Sequence, residues 1–376
     1  MVKHPPVRAY DEVLIERIGE RYRAAAIASG WVTDVLTARA SEDGPGSIYL
    51  GRVVRRVPGL KAAFVEIGLD RPALLNVDTD EPGEGQAIVV QLVEMPSDDK
   101  AARVSTRLAL AGRFLVLLPR GKGVVVSRRL DAAARTRLGA ALGGLARPGE
   151  GVIVRAAAEM ADADALAVEL AGLRAAWAAI DGRLSAATPP LRVHAEDPLR
   201  RIFAAFAPSP RFVFADPDEA RRARRVAASL GPDLPDRIEV APEGSALFER
   251  HDAASALAAA EQSEVALPSG GRVRIEQTAA LTAIDVDSGA GSVPRGAIVQ
   301  TNLEAAEEVA RQLRLRELGG LVMIDFIRMA GRGEQERVRR ALARAVETDR
   351  AAVQILGWTK GGLLELIRPR AGEAGA

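Results

Sequence analysis

Two short apolar runs end in the same dipeptide, Ile284-Asp285 and Ile324-Asp325, and the stretch between them has helical periodicity. Residues 280–286 and 321–327 read as strands, and 303–318 as the helix joining them. Thr301 and Glu304 have the spacing of a capping box at its start, and Gly319-Gly320 supplies its stop. A second helix, 334–350, leads to a third strand at 353–356. A β-α-β-α-β order dictates an α/β unit, with right-handed crossovers where the strands are parallel. If the two Ile-Asp strands are adjacent and parallel, both aspartates project near their carboxyl ends, where such sheets place ligands.

Elimination narrows the chemistry. Among 376 residues there is no cysteine, and the histidines are His4, His194 and His251 alone. Disulfides, iron–sulfur clusters, Cys-ligated zinc and thiol nucleophiles are therefore excluded. A metal here is held by oxygen, which points to magnesium or manganese. Two carboxylates at a sheet end suit such a cation, which can activate water and stabilise charge on a phosphoryl group. Asp287, two residues further on, lies on the same face if the strand persists and is a candidate third ligand. Aspartates that merely end strands in solvent give the same pattern, so spacing alone leaves both readings open.

Net charge is +1, but its distribution is uneven. Between Lys100 and Arg155 there are twelve Lys or Arg and two acids, and between Arg328 and Arg370 ten and five. The segment 78–84, just upstream, is acidic. Such a pattern is the footprint of a polyanion binder. An Arg-rich composition with solvated helix faces explains the arginines but not the scarcity of acids. No run of 18 apolar residues occurs, and residues 1–10 lack the apolar core of a secretory signal, so a cytoplasmic chain without a membrane segment is expected.

Short apolar runs within 1–40 suggest a strand meander. A turn cluster at 41–46 then opens four closely spaced β-type runs, at 48–54, 62–67, 73–77 and 87–93, bounded by Gly, Pro or Asp. Their size and density match a small barrel of the OB type, a fold that often binds single-stranded nucleic acid. Strands at 114–118, 124–126 and 152–154 precede an Ala-rich helix at 162–180, and Pro189-Pro190 marks a break. Residues 191–278 mix a helix at 218–230 with strands at 237–240 and 272–276.

Longer motifs resemble the ribonuclease E/G family. They run through Leu267-Pro268-Ser269-Gly270-Gly271, Ala283-Ile284-Asp285-Val286-Asp287-Ser288, Thr301-Asn302-Leu303-Glu304-Ala305-Ala306 and Leu318-Gly319-Gly320-Leu321 into Ile324-Asp325-Phe326-Ile327. Weaker similarity extends upstream, so the resemblance spans essentially the whole chain. It implies a multidomain α/β protein. An RNase H-like subdomain (1–39 and 193–278) would be split by an OB-fold (40–103) and a 5′-sensor (104–192), and followed by a DNase I-like catalytic subdomain (279–376). The implied activity is magnesium-dependent (or manganese-dependent) endonucleolytic cleavage of single-stranded RNA, leaving a 5′-phosphate and a 3′-hydroxyl. Asp285 and Asp325 match the family's metal-binding aspartates. Phe64 and Lys100 match RNA-contacting positions of the OB-fold, suited to base stacking and phosphate contact. By themselves, a Phe in a short strand is usually core and a lone Lys usually solvated. Gly112, Val116, Arg128 and Arg155 match the pocket for a 5′-monophosphate.

Departures from the family pattern are specific. Asp287 stands where the family has asparagine; it strengthens metal binding or repels the scissile phosphate. Arg328 replaces an acid, and Ala156 and Ala352 replace a threonine and an arginine of the sensor. Ile67 and Leu74 stand at aromatic positions of the OB surface. These changes keep a second expectation in view, an RNA-binding protein that retains the fold with weakened or no cleavage. Without cysteines, a zinc-linked dimer or tetramer is not expected, and a monomer is.

Overall fold

The computed structural model describes residues 10–40, 44–77, 82–96, 100–208, 210–243, 246–289 and 295–370. Parts of the expected turn cluster (41–43) and of the acidic segment (78–81) lie outside the described residues.

Strands β1 (Glu12–Ile18), β2 (Arg21–Ala28) and β3 (Trp31–Arg39) form the expected meander. Five more follow: β4 (Ile48–Val57), β5 (Ala62–Glu66), β6 (Ala73–Asn76), β7 (Ala87–Glu94) and β8 (Arg103–Ser105). The next segment carries β9 (Leu110–Ala111), β10 (Leu115–Leu118), β11 (Gly123–Val126), α1 (Ala132–Gly143), β12 (Gly151–Val154) and α2 (Ala163–Ser185). Then come β13 (Leu191–His194), α3 (Pro198–Ala205), β14 (Arg211–Phe214), α4 (Pro217–Ala228), β15 (Ile238–Val240) and α5 (Ala253–Glu261). The final stretch holds β16 (Glu264–Ala266), β17 (Arg272–Gln277), β18 (Thr282–Asp287), α6 (Arg295–Leu315), β19 (Gly320–Asp325), α7 (Arg332–Val346), β20 (Gln354–Trp358) and β21 (Leu364–Arg368).

Local chemistry explains several helix starts. The Asp131 and Asp162 carboxylates accept hydrogen bonds from Ala134 N and Ala165 N, capping α1 and α2. Asp197-Pro198 and Asp216-Pro217 open α3 and α4, combining a capping carboxylate with a proline at the first helical position.

Four sheets organise the chain. One has the order β15-β14-β1-β2-β3, so two distant pieces share it, with β1 parallel to β14 and antiparallel to β2. In the second, β4 pairs with both β5 and β7, and β6–β8–β7 complete the circuit, closing a five-stranded barrel of OB-like form. The third runs β11-β12-β10-β9 and packs against α1 and α2 through Leu138, Leu142, Leu166 and Leu170.

The fourth sheet has the order β16-β17-β18-β19-β21-β20. As expected, β18 and β19 are adjacent and parallel. The third expected strand is present as β20, but β21, which the apolar pattern does not predict, wedges between it and β19, antiparallel to both. The expected boundary between 278 and 279 falls within the β17–β18 hairpin, so β16 and β17 share one sheet and one core with the strands that follow. Helices α6 and α7 cover one face of this sheet, burying Val309, Leu313, Val338 and Leu342 against Ile284, Val286, Val322 and Ile324. Strand alternation then turns Asp285 and Asp325 to the opposite, open face.

The helix starts earlier than the Thr-x-x-Glu spacing predicts. Helix α6 begins at Arg295, so Thr301 and Glu304 lie within it and form no capping box. Instead the Thr301 hydroxyl bonds the Ala297 carbonyl (3.0 Å) and the Ser269 hydroxyl (3.1 Å), and Glu304 accepts from Ser269 N (2.8 Å). The stretch before β17 thus supplies the partners a helix terminus would have supplied. At the other end Leu318 N bonds Leu313 O (3.0 Å), with Glu317 rather than a glycine at positive φ (52°).

A carboxylate pair on the open sheet face

The β18–β19 register pairs Asp285 directly with Asp325. Neighbouring strands lie about 4.8 Å apart, so the two carboxylates rise side by side from one face. Both residues are exposed, and among the described residues neither carboxylate makes a hydrogen bond or a salt bridge. Two adjacent oxygen donors in solvent, uncommitted to a cation of the protein, fit a hard divalent metal that keeps several waters.

Asp287, the candidate third ligand, already has partners. Arg272 donates to its Oδ2 from Nη2 (3.0 Å) and Nε (3.3 Å), and Gly289 N donates to its Oδ1 (2.9 Å). The Gly289 N–H, and then the Arg272 guanidinium, hold its carboxyl below the usual carboxylate range. Among the described residues no three His, Asp or Glu side chains gather as a metal cluster. The added acid thus faces a guanidinium across the hairpin, in an ion pair whose two side chains are both nearly half exposed.

Backbone packing holds this end of the sheet. A Cβ at Gly271 would lie 2.6 Å from Asp287 O, and one at Gly289 2.4 Å from Gly270 O, so both positions require glycine. Asn302, fully buried on α6, donates from Nδ2 to Ile327 O (2.8 Å) and accepts from Ile327 N (3.1 Å). That double bond pins the chain two residues beyond Asp325. Asn302 carried only motif resemblance in the sequence; its role depends on the contact between α6 and the end of β19. Arg328 is exposed beside Glu334 at an open cavity of about 230 Å³, lined also by Ile298, Met329 and Ala330.

On the barrel, Phe64 is half-buried on the outer surface, with the Arg55 guanidinium 4.9 Å from its ring centroid. Cross-strand pairing sets Arg55, Phe64, Leu74 and Arg103 in one row. Phe64 thus has Arg55 on one side and Leu74 on the other, and Arg103 beyond Leu74 pairs with Glu94 (3.3 Å). Ile67, by contrast, is core, so it replaces no surface aromatic. Lys100 is exposed, and its Nζ lies 3.5 Å from Ala279 O in the β17–β18 hairpin.

The four sensor positions divide. Gly112, Val116 and Arg155 come together around β9, β10 and β12. Arg155 Nη1 donates to the carbonyls of Gly112 (2.8 Å), Arg113 (3.2 Å) and Ala204 (2.7 Å), and burial lowers its pKa. Glu169 accepts from the amides of Phe114 (3.0 Å) and Leu115 (3.0 Å), just beyond the Gly112 turn. The Val116 side chain is buried, and Arg128 is exposed.

Elsewhere in the basic segment, Arg129, Arg135 and Arg137 also bond backbone carbonyls: Glu347 O, Leu130 O and Ala161 O. Such bonds satisfy donors without cancelling charge, so the positive excess of this segment survives folding. No helix among the described residues is long and apolar enough to cross a membrane.

Comparison with known proteins places this architecture. A model of the ribonuclease E/G family matches residues 109–371. The chain is 35% identical over 384 residues to ribonuclease E of Escherichia coli K12, an alignment covering 93% of this chain and 36% of that protein. It is 31% identical over 399 residues to ribonuclease G of Salmonella typhimurium, covering 96% of this chain and 80% of that one. Ribonuclease E of Haemophilus influenzae is 34% identical over 386 residues, with 93% and 40% covered. The chain therefore spans well under half the length of these two ribonucleases E and most of the length of ribonuclease G.

Proposed function

We propose that this chain, which belongs to the ribonuclease E/G family, is an endoribonuclease that cuts single-stranded RNA at the Asp285–Asp325 pair, leaving a 5′-phosphate and a 3′-hydroxyl. The observation that carries this reading is the in-register placement of the two aspartates on an open face, neither one ion-paired. Asp285 and Asp325 would hold a magnesium or manganese ion; when bound, it supplies an activated water and stabilises charge on the phosphoryl oxygens. Phe64, flanked by Arg55, offers stacking to a base, and Lys100 offers charge to the backbone between barrel and sheet. The β15-β14-β1-β2-β3 order supports an RNase H-like reading of the first sheet, and the two-layer α6/α7 sheet supports a DNase I-like one for the last.

Five-prime-end sensing is expected to be weak. Arg155 turns its Nη1 to backbone carbonyls, and Ala156 and Ala352 bring neither hydroxyl nor guanidinium. The test is cleavage of a labelled AU-rich single-stranded RNA with magnesium, by the native protein and by Asp285→Asn. Matched 5′-hydroxyl and 5′-monophosphate substrates run in parallel. Cleavage lost in the variant, at similar rates on both substrates, is the expected result. Intact RNA with both proteins while binding persists would replace the nuclease with an RNA-binding protein on the same fold.

A further inference from the structure

Arg274 occupies a place that the carboxylate pair by itself does not explain. The β17–β18 register sets it opposite Asp285, and the β18–β19 register sets Asp285 opposite Asp325. The three residues form one row across three strands, cation–carboxylate–carboxylate, all on the open face. Glu264, on edge strand β16, pairs with Arg274 in register and takes its Nε (3.0 Å) and Nη2 on a single oxygen. Nη1 makes no hydrogen bond among the described residues.

The two arginines of β17 are differently placed. Arg272 divides its donors between Asp287 and Glu264 (3.6 Å) and offsets the charge of Asp287 beside the site. Among the described residues Arg274 hydrogen-bonds and ion-pairs with Glu264 alone, and the two side chains are 50% and 39% exposed. An ion pair this open to water is weak and exchanges readily for a better partner. A divalent cation with two carboxylates leaves no surplus positive charge for a diester, whereas a guanidinium fork matches two phosphate oxygens. From this row we infer that Arg274 binds an RNA phosphate next to the scissile bond, and that Glu264 holds its guanidinium aligned until RNA displaces it. The inference rests on the endoribonuclease reading for the identity of the substrate.

Two variants separate this role from a structural one, because they are expected to act in opposite directions. Arg274→Gln should raise KM for single-stranded RNA about tenfold. Glu264→Gln, which frees the guanidinium, should lower KM about twofold to threefold. Arg274→Lys should fall between Arg274→Gln and the native protein, keeping charge but losing the fork. The same comparison is made by metal-free binding of a labelled single-stranded RNA in an Asp285→Asn background. There Arg274→Gln should reduce the slope of log K against log salt by about 0.7, one phosphate contact on a single strand. Thermal melts matched to the parent within a few degrees show that each variant is folded. The inference is overturned if Arg274→Gln and Glu264→Gln shift KM and affinity in the same direction, or if Arg274→Gln changes neither. If the native protein leaves RNA intact with magnesium, the nuclease reading falls alone, because the metal-free binding arm still decides the role of Arg274.

Discussion

Replacing Asn302 should unfasten the end of β19 at a cost that its geometry allows to be worked out. The side chain is fully buried and makes two hydrogen bonds to one residue, Nδ2 to Ile327 O and Oδ1 to Ile327 N. Each bond contributes about 1 kcal/mol net, and removing the side chain leaves a buried N–H and C=O unpaired at about 1–3 kcal/mol each. Because these terms overlap, the expected loss for Asn302→Ala is about 3 kcal/mol. Asn302→Leu refills the volume but not the hydrogen bonds and should lose nearly as much. Trp358 packs 5.9 Å from Phe326, the residue between Asp325 and Ile327, so its fluorescence reports on this corner once Trp31 and Trp177 are changed to Phe. With a urea m-value of about 2 kcal/mol/M, the midpoint of that signal should fall by about 1.5 M. A leucine variant within about 0.5 kcal/mol of the parent would refute the argument, since volume rather than the double hydrogen bond would then hold the corner.

Two further outcomes follow from buried charge. Asp34 is fully buried with no hydrogen bond to either carboxylate oxygen, 3.5 Å from Arg314, and burial pushes its pKa up to about 6. A folded-state pKa above the unfolded value means that the folded chain holds its proton more tightly, so stability should fall as pH rises from about 4 to 6, by roughly 3 kcal/mol in all; urea melts across that range should show the slope, and Asp34→Asn should flatten it. At Gly112 an added Cβ would lie 2.0 Å from Glu169 Oε1, so Gly112→Ala should destabilise the third sheet by about 1–3 kcal/mol. Paired with Glu169→Ala in a double-mutant cycle measured by urea unfolding, it should be strongly non-additive; additive losses would show that the clash is relieved by backbone movement alone.

The features read correctly from sequence are those written in short stretches. Residues 12–39 show as three apolar runs because most of their side chains are buried, and the barrel strands show because turns punctuate them. The two Ile-Asp strands are legible for the same reason: Ile284 and Ile324 face the α6/α7 core while the next residue must face away. The start of α6 misleads because a Thr-x-x-Glu pair can find its partners in a loop, here at Ser269, more than thirty residues earlier. Strand β21 hides behind Gly361-Gly362, too short to separate by periodicity from β20.

What the sequence determined by itself is the chemistry on offer: oxygen ligands without sulfur, two aspartates ending apolar strands, and a long segment rich in arginine and poor in acids. Which charges remain available was decided only by tertiary structure. Cross-strand register sets Arg272 on Asp287, Arg274 beside Asp285 and Asp325 next to its partner. Packing turns Arg155 Nη1 to backbone carbonyls and leaves Arg128 in solvent. The physical reason is range. Periodicity and capping act within a few residues of chain, whereas a carboxylate or guanidinium is freed or neutralised by groups that folding brings from far along it.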